Sequence, residues 1–225
     1  MFEEFWPDLG KVLSAGLLAG SASLAVQWAA HKLARGLTQL RALPIAELRS
    51  PACVERRLAA ILLADVVGYS KLMNADEEGT HMGFLTCRRD VIEPKVREHR
   101  GRIVKNTGDG ALVEFGSAVD AVRCALDLQQ AMTERNAAVP QGRRIDLRVG
   151  VNLGDVIVEL DDIYGHAVNL VARLESLAVP GGICISADIW RHVRGSVVAE
   201  FVDLGERQLK NIDDPVRVFA VAPLT

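Results

Sequence analysis

The stretch from Ile103 to Phe115 constrains the fold of this chain more than any other. Two short apolar runs, Ile103-Val104 and Ala111-Leu112-Val113, flank Thr107-Gly108-Asp109-Gly110, a turn that closes a β-hairpin. The hairpin therefore carries a carboxylate, Asp109, at its tip. A second carboxylate, Asp65, ends the apolar run Leu58 to Ala64 and precedes Val66-Val67-Gly68-Tyr69-Ser70. Two acids, each at the end of a buried strand, compose a cradle for two metal ions. Asp-Gly is also a common hairpin turn, so the pair is diagnostic only with further residues around it.

The surrounding sequence supplies the rest of a domain. Arg57 to Val66 reads as a buried strand, and Asp76 to His99 as a helical stretch interrupted near Pro94. The hairpin occupies Gly101 to Phe115. Ser117 is an N-cap for a long helix with apolar positions Val119, Val122, Ala125, Leu126 and Met132. Arg144 to Asn152 alternates through Ile145, Leu147, Val149 and Val151, which predicts a half-buried strand. A turn at Leu153-Gly154 leads to another strand, Asp155 to Leu160. After Tyr164-Gly165 a helix spans Ala167 to Leu177 and ends before Pro180-Gly181-Gly182. Short strand and helix signals then alternate to Val221. This order predicts an α+β fold, a mostly antiparallel sheet with helices on one face.

At 225 residues the chain has room for one ordinary domain and an accessory segment. A net charge of −3 supplies no electrostatic footprint for nucleic acid, so none is expected as a partner. The basic residues Arg88, Arg89, Lys95, Arg97, Arg100 and Arg102 read as a solvated helix face. Cys53, Cys87, Cys124 and Cys184 show no zinc or disulfide spacing. They sit among apolar neighbours as small hydrophobes of a reducing compartment.

Val12 to Ala30 is a run of 19 residues without a charge. As a helix at about 1.5 Å per residue it reaches roughly 30 Å, the depth of a bilayer core. Gly16 and Gly20 are spaced for close helix approach. Glu3, Glu4 and Asp8 precede the run and Lys32, Arg35 and Arg41 follow it, which puts the C-terminal side in the cytoplasm. The expected organisation is a hydrophobic helix and membrane anchor over 1–31, a connector over 32–55 and a folded domain over 56–225. A helix of a soluble cytoplasmic protein is the other reading of 12–30.

Four motifs, in order, resemble the catalytic domain of class III nucleotidyl cyclases, the adenylate and guanylate cyclase family. They are Leu63-Ala64-Asp65-Val66-Val67-Gly68-Tyr69-Ser70, Lys105-Asn106-Thr107-Gly108-Asp109-Gly110, Leu147-Arg148-Val149-Gly150-Val151-Asn152-Leu153-Gly154, and Asp162-Ile163-Tyr164-Gly165-His166-Ala167-Val168-Asn169-Leu170-Val171-Ala172-Arg173-Leu174. The resemblance runs from about Arg56 to Val221 and is most like the bacterial adenylate cyclases. It implies the ferredoxin-like-derived fold of that family. It also implies two Mg²⁺ or Mn²⁺ ions per site, held by Asp65, Asp109 and the carbonyl of Val66. Gly68, Tyr69, Ser70, Arg148 and Lys210 fall at phosphate-binding positions, and Asn169 and Arg173 at the catalytic positions that orient ribose and stabilise charge on the phosphate. His166 stands where relatives often carry Asn or Asp.

Base choice follows from the same resemblance. The family's base-recognition positions carry Lys105 and Asp162 here. A Lys only donates and an ionised Asp only accepts, which complements adenine. Guanylate cyclases of the family typically place Glu and Cys there. The expected function is an adenylate cyclase acting on ATP; a guanylate cyclase or a non-catalytic nucleotide-binding homologue is the alternative. The family builds its site between two catalytic domains. One brings Asp65, Asp109 and Arg148, and the other brings Lys105, Asp162, Asn169, Arg173 and Lys210. This chain carries both sets, which implies a symmetric homodimer.

Overall fold

Alternation along Arg56–Val66 (β1) decides the architecture. Ala60, Leu62, Ala64 and Val66 project to one side, and Ala59, Ile61 and Leu63 to the other, each set into its own apolar cluster. A strand covered on both faces belongs at the centre of a sheet. The computed structural model describes residues 54–224 and places β1 there. After β1 come α1 (Tyr69–Ala75), α2 (Glu77–Cys87), a π-helical turn (Arg88–Ile92) and α3 (Glu93–Glu98). The hairpin strands β2 (Arg102–Asn106) and β3 (Gly110–Phe115) follow, then α4 (Ala118–Ala137), β4 (Leu147–Glu159), β5 (Asp162–Tyr164) and α5 (His166–Leu177). β6 (Ile183–Ser186), α6 (Ala187–Val193), β7 (Glu200–Arg207) and β8 (Val216–Ala222) complete the order. The eight strands form one sheet, ordered β2-β3-β1-β4-β6-β8-β7, with β5 paired to β4. Among the described residues only the β4–β6 ladder is parallel.

The helices do not all lie on one face, as the order of elements suggested. Phe84, Cys87, Val96, Val122, Leu128 and Ile189 from α2, α3, α4 and α6 pack on Leu62, Val113 and Val149. On the opposite face Ala167 and Val171 of α5 pack on Ala59, Ile61 and Leu112. Two glycines of β4 admit α5 to that face. A Cβ at Gly150 would lie 2.5 Å from the Glu175 nitrogen and 2.6 Å from the Val171 carbonyl oxygen. One at Gly154 would lie 2.7 Å from the Ala167 Cβ. Between them Asn152, buried, donates from Nδ2 to the Ala167 carbonyl at 3.1 Å.

The same glycine corrects a second expectation. No turn occurs at Leu153-Gly154. β4 runs straight through it, paired with β1 from Arg56 opposite Ile157 to Val66 opposite Leu147. Gly154 answers the approach of a helix, and the chain reverses instead at Leu160-Asp161. The helical stretch also begins earlier than Asp76, at Tyr69. Asp76 ends α1 and caps α2, accepting from the Gly79 N–H at 2.9 Å. The interruption near Pro94 is the π-helical turn just before it, and Pro94 sits in the first turn of α3, where a missing N–H costs little. Arg102 leaves the proposed basic helix face and belongs to β2.

Among the described residues Cys87, Cys124 and Cys184 are buried free thiols. Burial pushes them up to about 11, about 12 and about 11, which suits core packing. The anchor expected over 12–30 lies outside the described residues. Among those described, no helix is long and apolar enough to cross a membrane.

The packing of α5 on β4 generates a stability prediction. Gly150→Ala forces backbone against backbone and should destabilise the fold by about 1–3 kcal/mol, read as a lowered urea midpoint. Gly142→Ala, where a Cβ meets nothing within 4 Å, is the matched control and should shift stability by no more than about 0.5 kcal/mol.

Candidate active site

Register brings the first group of site residues together. Asp65, next to last in β1, lies opposite Gly110 of β3 on one side and Arg148 of β4 on the other. Asp109 directly precedes Gly110, and the Val66 N–H donates to the Asp109 carbonyl at 3.2 Å, tying the two acid-bearing segments. Gly110 is obligatory at this crossing. A Cβ there would meet the Ala64 carbonyl oxygen at 2.4 Å and the Asp65 Oδ1 at 2.7 Å. Gly108 supplies the left-handed step of the turn, with φ of 92°.

The charges here are unbalanced. Asp65 is pushed up to about 6, first by burial and then by the neighbouring charges of Asp109 and Glu175 and a hydrogen bond with Asp109; Arg148 opposes the shift. Glu175, on α5, is buried and likewise raised, chiefly by burial, although the Ser176 hydroxyl donates to its Oε2 at 3.2 Å. Arg148 is half-buried and its Nε has no hydrogen-bond partner. Asp65 and Glu175 thus share a single guanidinium, with Asp109 close to both acids. Such an oxygen-only, charge-deficient set fits hard divalent cations, and Asp65 and Asp109 are the residues that would hold them.

Glu175 was missed by sequence reasoning, yet it left a signal. The buried stripe of α5 runs Ala167, Val171, Leu174, Glu175, so an acid occupies a core-facing position. The phosphate-loop candidates lie at the start of α1. Gly68 adopts φ of 64° and precedes the helix, and Ser70 is exposed. The Tyr69 ring packs edge-on against Phe84 with centroids 5.9 Å apart, which leaves its backbone as the part facing the loop.

A second group gathers around a cleft of about 460 Å³ that Lys105, Glu159, Asp161, Asp162 and Tyr164 help to line. Lys105 Nζ donates to Asp162 Oδ2 at 2.7 Å, and the Ile163 N–H donates to Asp162 Oδ1 at 2.8 Å. The bond from Lys105 holds the Asp162 carboxyl below its ordinary range. Tyr164 was not expected at the site. Its ring centroid lies 5.3 Å from the Lys105 ammonium. On α5, Asn169 is exposed and Arg173 is half-buried, one turn apart. Arg173 Nε donates to the backbone carbonyl of Lys210 at 3.2 Å. His166 opens α5 and is exposed. Among the described residues, no side-chain hydrogen bond or ion pair joins this second group to Asp65, Asp109 or Arg148.

Comparison with known proteins bears on the family and the fold. The family model described as the adenylate and guanylate cyclase catalytic domain matches residues 55–222. A protein of Rhizobium meliloti (strain 1021) named "Putative adenylate cyclase 3" is 53% identical over 170 residues, which are 76% of this chain and 29% of that protein. A protein of Streptomyces coelicolor named "Adenylate cyclase" is 32% identical over 132 residues, 59% of this chain and 33% of its own length. The chain therefore spans no more than about a third of these relatives. The crystal structure of an "Adenylate/Guanylate Cyclase/Hydrolase" from Silicibacter pomeroyi superposes with a TM-score of 0.71 at 45% identity, covering 76% of this chain and 99% of that one.

The crowded acids set a pH dependence. An acid raised from 3.8 to about 6 gives the fold stability that is complete below the lower value and is lost as pH rises through about 6. Asp65→Asn should flatten that loss and raise the melting temperature near neutral pH. It should also abolish the stabilisation that added Mg²⁺ or Mn²⁺ gives the unsubstituted protein. Thermal melts across pH, with and without each metal, measure both effects.

Proposed function

This chain belongs to the adenylate and guanylate cyclase family, and from that membership we propose that it is an adenylate cyclase, converting ATP to 3′,5′-cyclic AMP and pyrophosphate. Lys105 and Asp162 carry this reading. A donor-only and an acceptor-only side chain are held together at 2.7 Å in a cleft, which suits the acceptor ring nitrogen and amino donor of adenine. Guanine offers the reverse at the matching positions. The adenylate cyclase names of the relatives from Rhizobium meliloti and Streptomyces coelicolor support the same choice.

Cyclases of this class use divalent metal ions. Asp65, Asp109 and the Val66 carbonyl would hold two Mg²⁺ or Mn²⁺ ions, which when bound activate the attacking oxygen and neutralise the departing phosphates. In the reaction the ribose 3′-hydroxyl loses its proton and bonds to the α-phosphorus, while the bond to pyrophosphate breaks. Arg148, Lys210 and the backbone of Gly68, Tyr69 and Ser70 bind the phosphate chain. Asn169 orients the ribose. Arg173 places a fork of donors against the charge that develops on the α-phosphate, and its bond to the Lys210 carbonyl fixes where that fork sits.

The two groups of residues fall into separate clusters within one chain, which supports a symmetric homodimer with each site built from both copies. Residues 12–30 carry this assembly to the membrane in our reading, with the catalytic domain in the cytoplasm.

Three measurements test this. The full chain should make cyclic AMP from ATP in preference to cyclic GMP from GTP, and Arg173→Ala should lower kcat by about 10²–10³-fold. Asp109→Ala and Arg173→Ala should each retain only a trace of activity alone, yet an equal mixture should recover about a quarter of the original activity, since half the dimers then hold one intact site. A mixture as inactive as its parts rules out the shared site. Fractionation of cells expressing the chain with and without residues 1–31 tests the anchor.

A further inference from the structure

A buried carboxylate that takes no part in the proposed chemistry is tied to the base-recognition pair. Glu114 of β3 lies on the same face of the sheet as α5 and is almost fully buried, between two arginines. Arg57 donates to it from Nε and Nη2 at 2.6 and 2.7 Å. Arg102 donates from Nη2 and Nε at 2.7 and 3.3 Å. Burial would raise this carboxyl, but the bonds from Arg57 and Arg102 outweigh it and hold the group below its ordinary range. The third guanidinium nitrogen of Arg102, Nη1, donates to the Asp161 carbonyl at 3.0 Å.

That carbonyl belongs to the turn immediately before Asp162. The β4–β5 pairing, Glu159 opposite Asp162, closes the turn, but its own backbone is strained. Leu160 adopts a left-handed backbone with φ of 54°, a conformation disfavoured for leucine, and the residue is 95% exposed. Arg102 is therefore an external tie on a strained reversal. β2 carries a bulge between Ile103 and Lys105, so that Arg102 opposes Glu114 and Lys105 opposes Leu112. Glu114 and Leu112 share a face, so the bulge puts Arg102 and Lys105 on one side although an odd number of positions separates them. The strand that carries the base donor thus also carries the clamp on the base acceptor.

We propose that Arg102 is a positioning residue for base recognition: held by Glu114, it fixes the Asp161 carbonyl and so sets the spacing at which Lys105 and Asp162 face the base. The role demands arginine. A planar fork reaches a carboxylate and a carbonyl at once, whereas the ammonium of lysine is a single point on a flexible stem. This inference rests on the adenylate cyclase reading.

The test compares ATP and GTP turnover by the full chain with those of Arg102→Lys, Arg57→Lys and Asp162→Ala. Arg102→Lys should raise KM for ATP about tenfold, leave kcat within about threefold and cut the ATP-over-GTP preference in kcat/KM about tenfold. Arg57→Lys, which disturbs Glu114 but not Asp161, should keep the preference. A merely structural arginine would lower the melting temperature and both activities together with the preference unchanged, and that result overturns the proposal. So does equal loss of preference in Arg57→Lys. Should Arg102→Lys not fold, Arg102→Gln is read the same way, and failure of both to fold marks the residue as structural. Asp162→Ala separates the two levels of inference. If it keeps the preference for ATP, or if the unsubstituted chain makes no cyclic AMP, the base-recognition reading falls and this proposal with it. If it loses the preference while Arg102→Lys retains it, only the role of Arg102 fails.

Discussion

β1 is hydrogen-bonded on both edges, and the registers of those two ladders place Gly110, Asp65 and Arg148 in one row across the sheet. Both faces of β1 are buried, so a slip of one residue would exchange its two apolar sets and carry Asp65 to the side packed by α2, α3, α4 and α6. Burial on both sides therefore enforces the alignment of the acid with its neighbours. Asp109 depends on the same alignment, because the hairpin reaches Asp65 through the bond from Val66 N–H to the Asp109 carbonyl. The row also requires glycine at its β3 position, since any side chain at 110 would occupy the space of the Asp65 carboxylate.

Three acids on this side of the sheet show how environment separates structure from chemistry. Glu114 is embraced by two guanidiniums and is held below the ordinary carboxylate range. Asp65 and Glu175 share one guanidinium, Arg148, with Asp109 nearby, and both are raised. The first arrangement is complete in itself. The second leaves negative charge uncompensated inside the fold, which proteins tolerate where a bound cation restores the balance. Identical functional groups thus read as a brace in one place and as a metal cradle in the other.

Much of this was legible in the chain itself, because the relevant signals are local. The Asp-Gly turn announced the hairpin, the apolar run announced β1, and the spacing of Asn169 and Arg173 placed both on one helix. What escaped depended on contacts between distant segments. Gly154 looked like a turn because a glycine in a strand and one in a turn are the same letter; only the approach of Ala167 distinguishes them. The packing of α5 on the opposite face follows from that same contact. Arg102 looked like one more solvated base after α3 until the bulge in β2 turned it toward Glu114. Glu175 and Tyr164 act through neighbours on other strands, which periodicity within one segment cannot reveal.

The β2–β3 hairpin consequently does more than present an acid. Its tip carries Asp109, its outer strand carries Lys105 and Arg102, and its inner strand carries Glu114. In the proposed dimer those ends serve different sites, since Asp109 faces the phosphates of one nucleotide and Lys105 the base of the other. A rigid-body shift of the hairpin would then move the metal cradle of one site and the base selector of its twin together. The ladder to β1 and the Arg57–Glu114–Arg102 brace oppose such a shift, and both anchor the hairpin to the central strand. Stiffness in this one element is thus a condition for two equivalent sites to hold the same geometry at once, which explains why so costly a buried charge cluster sits beside, and outside, the reacting groups.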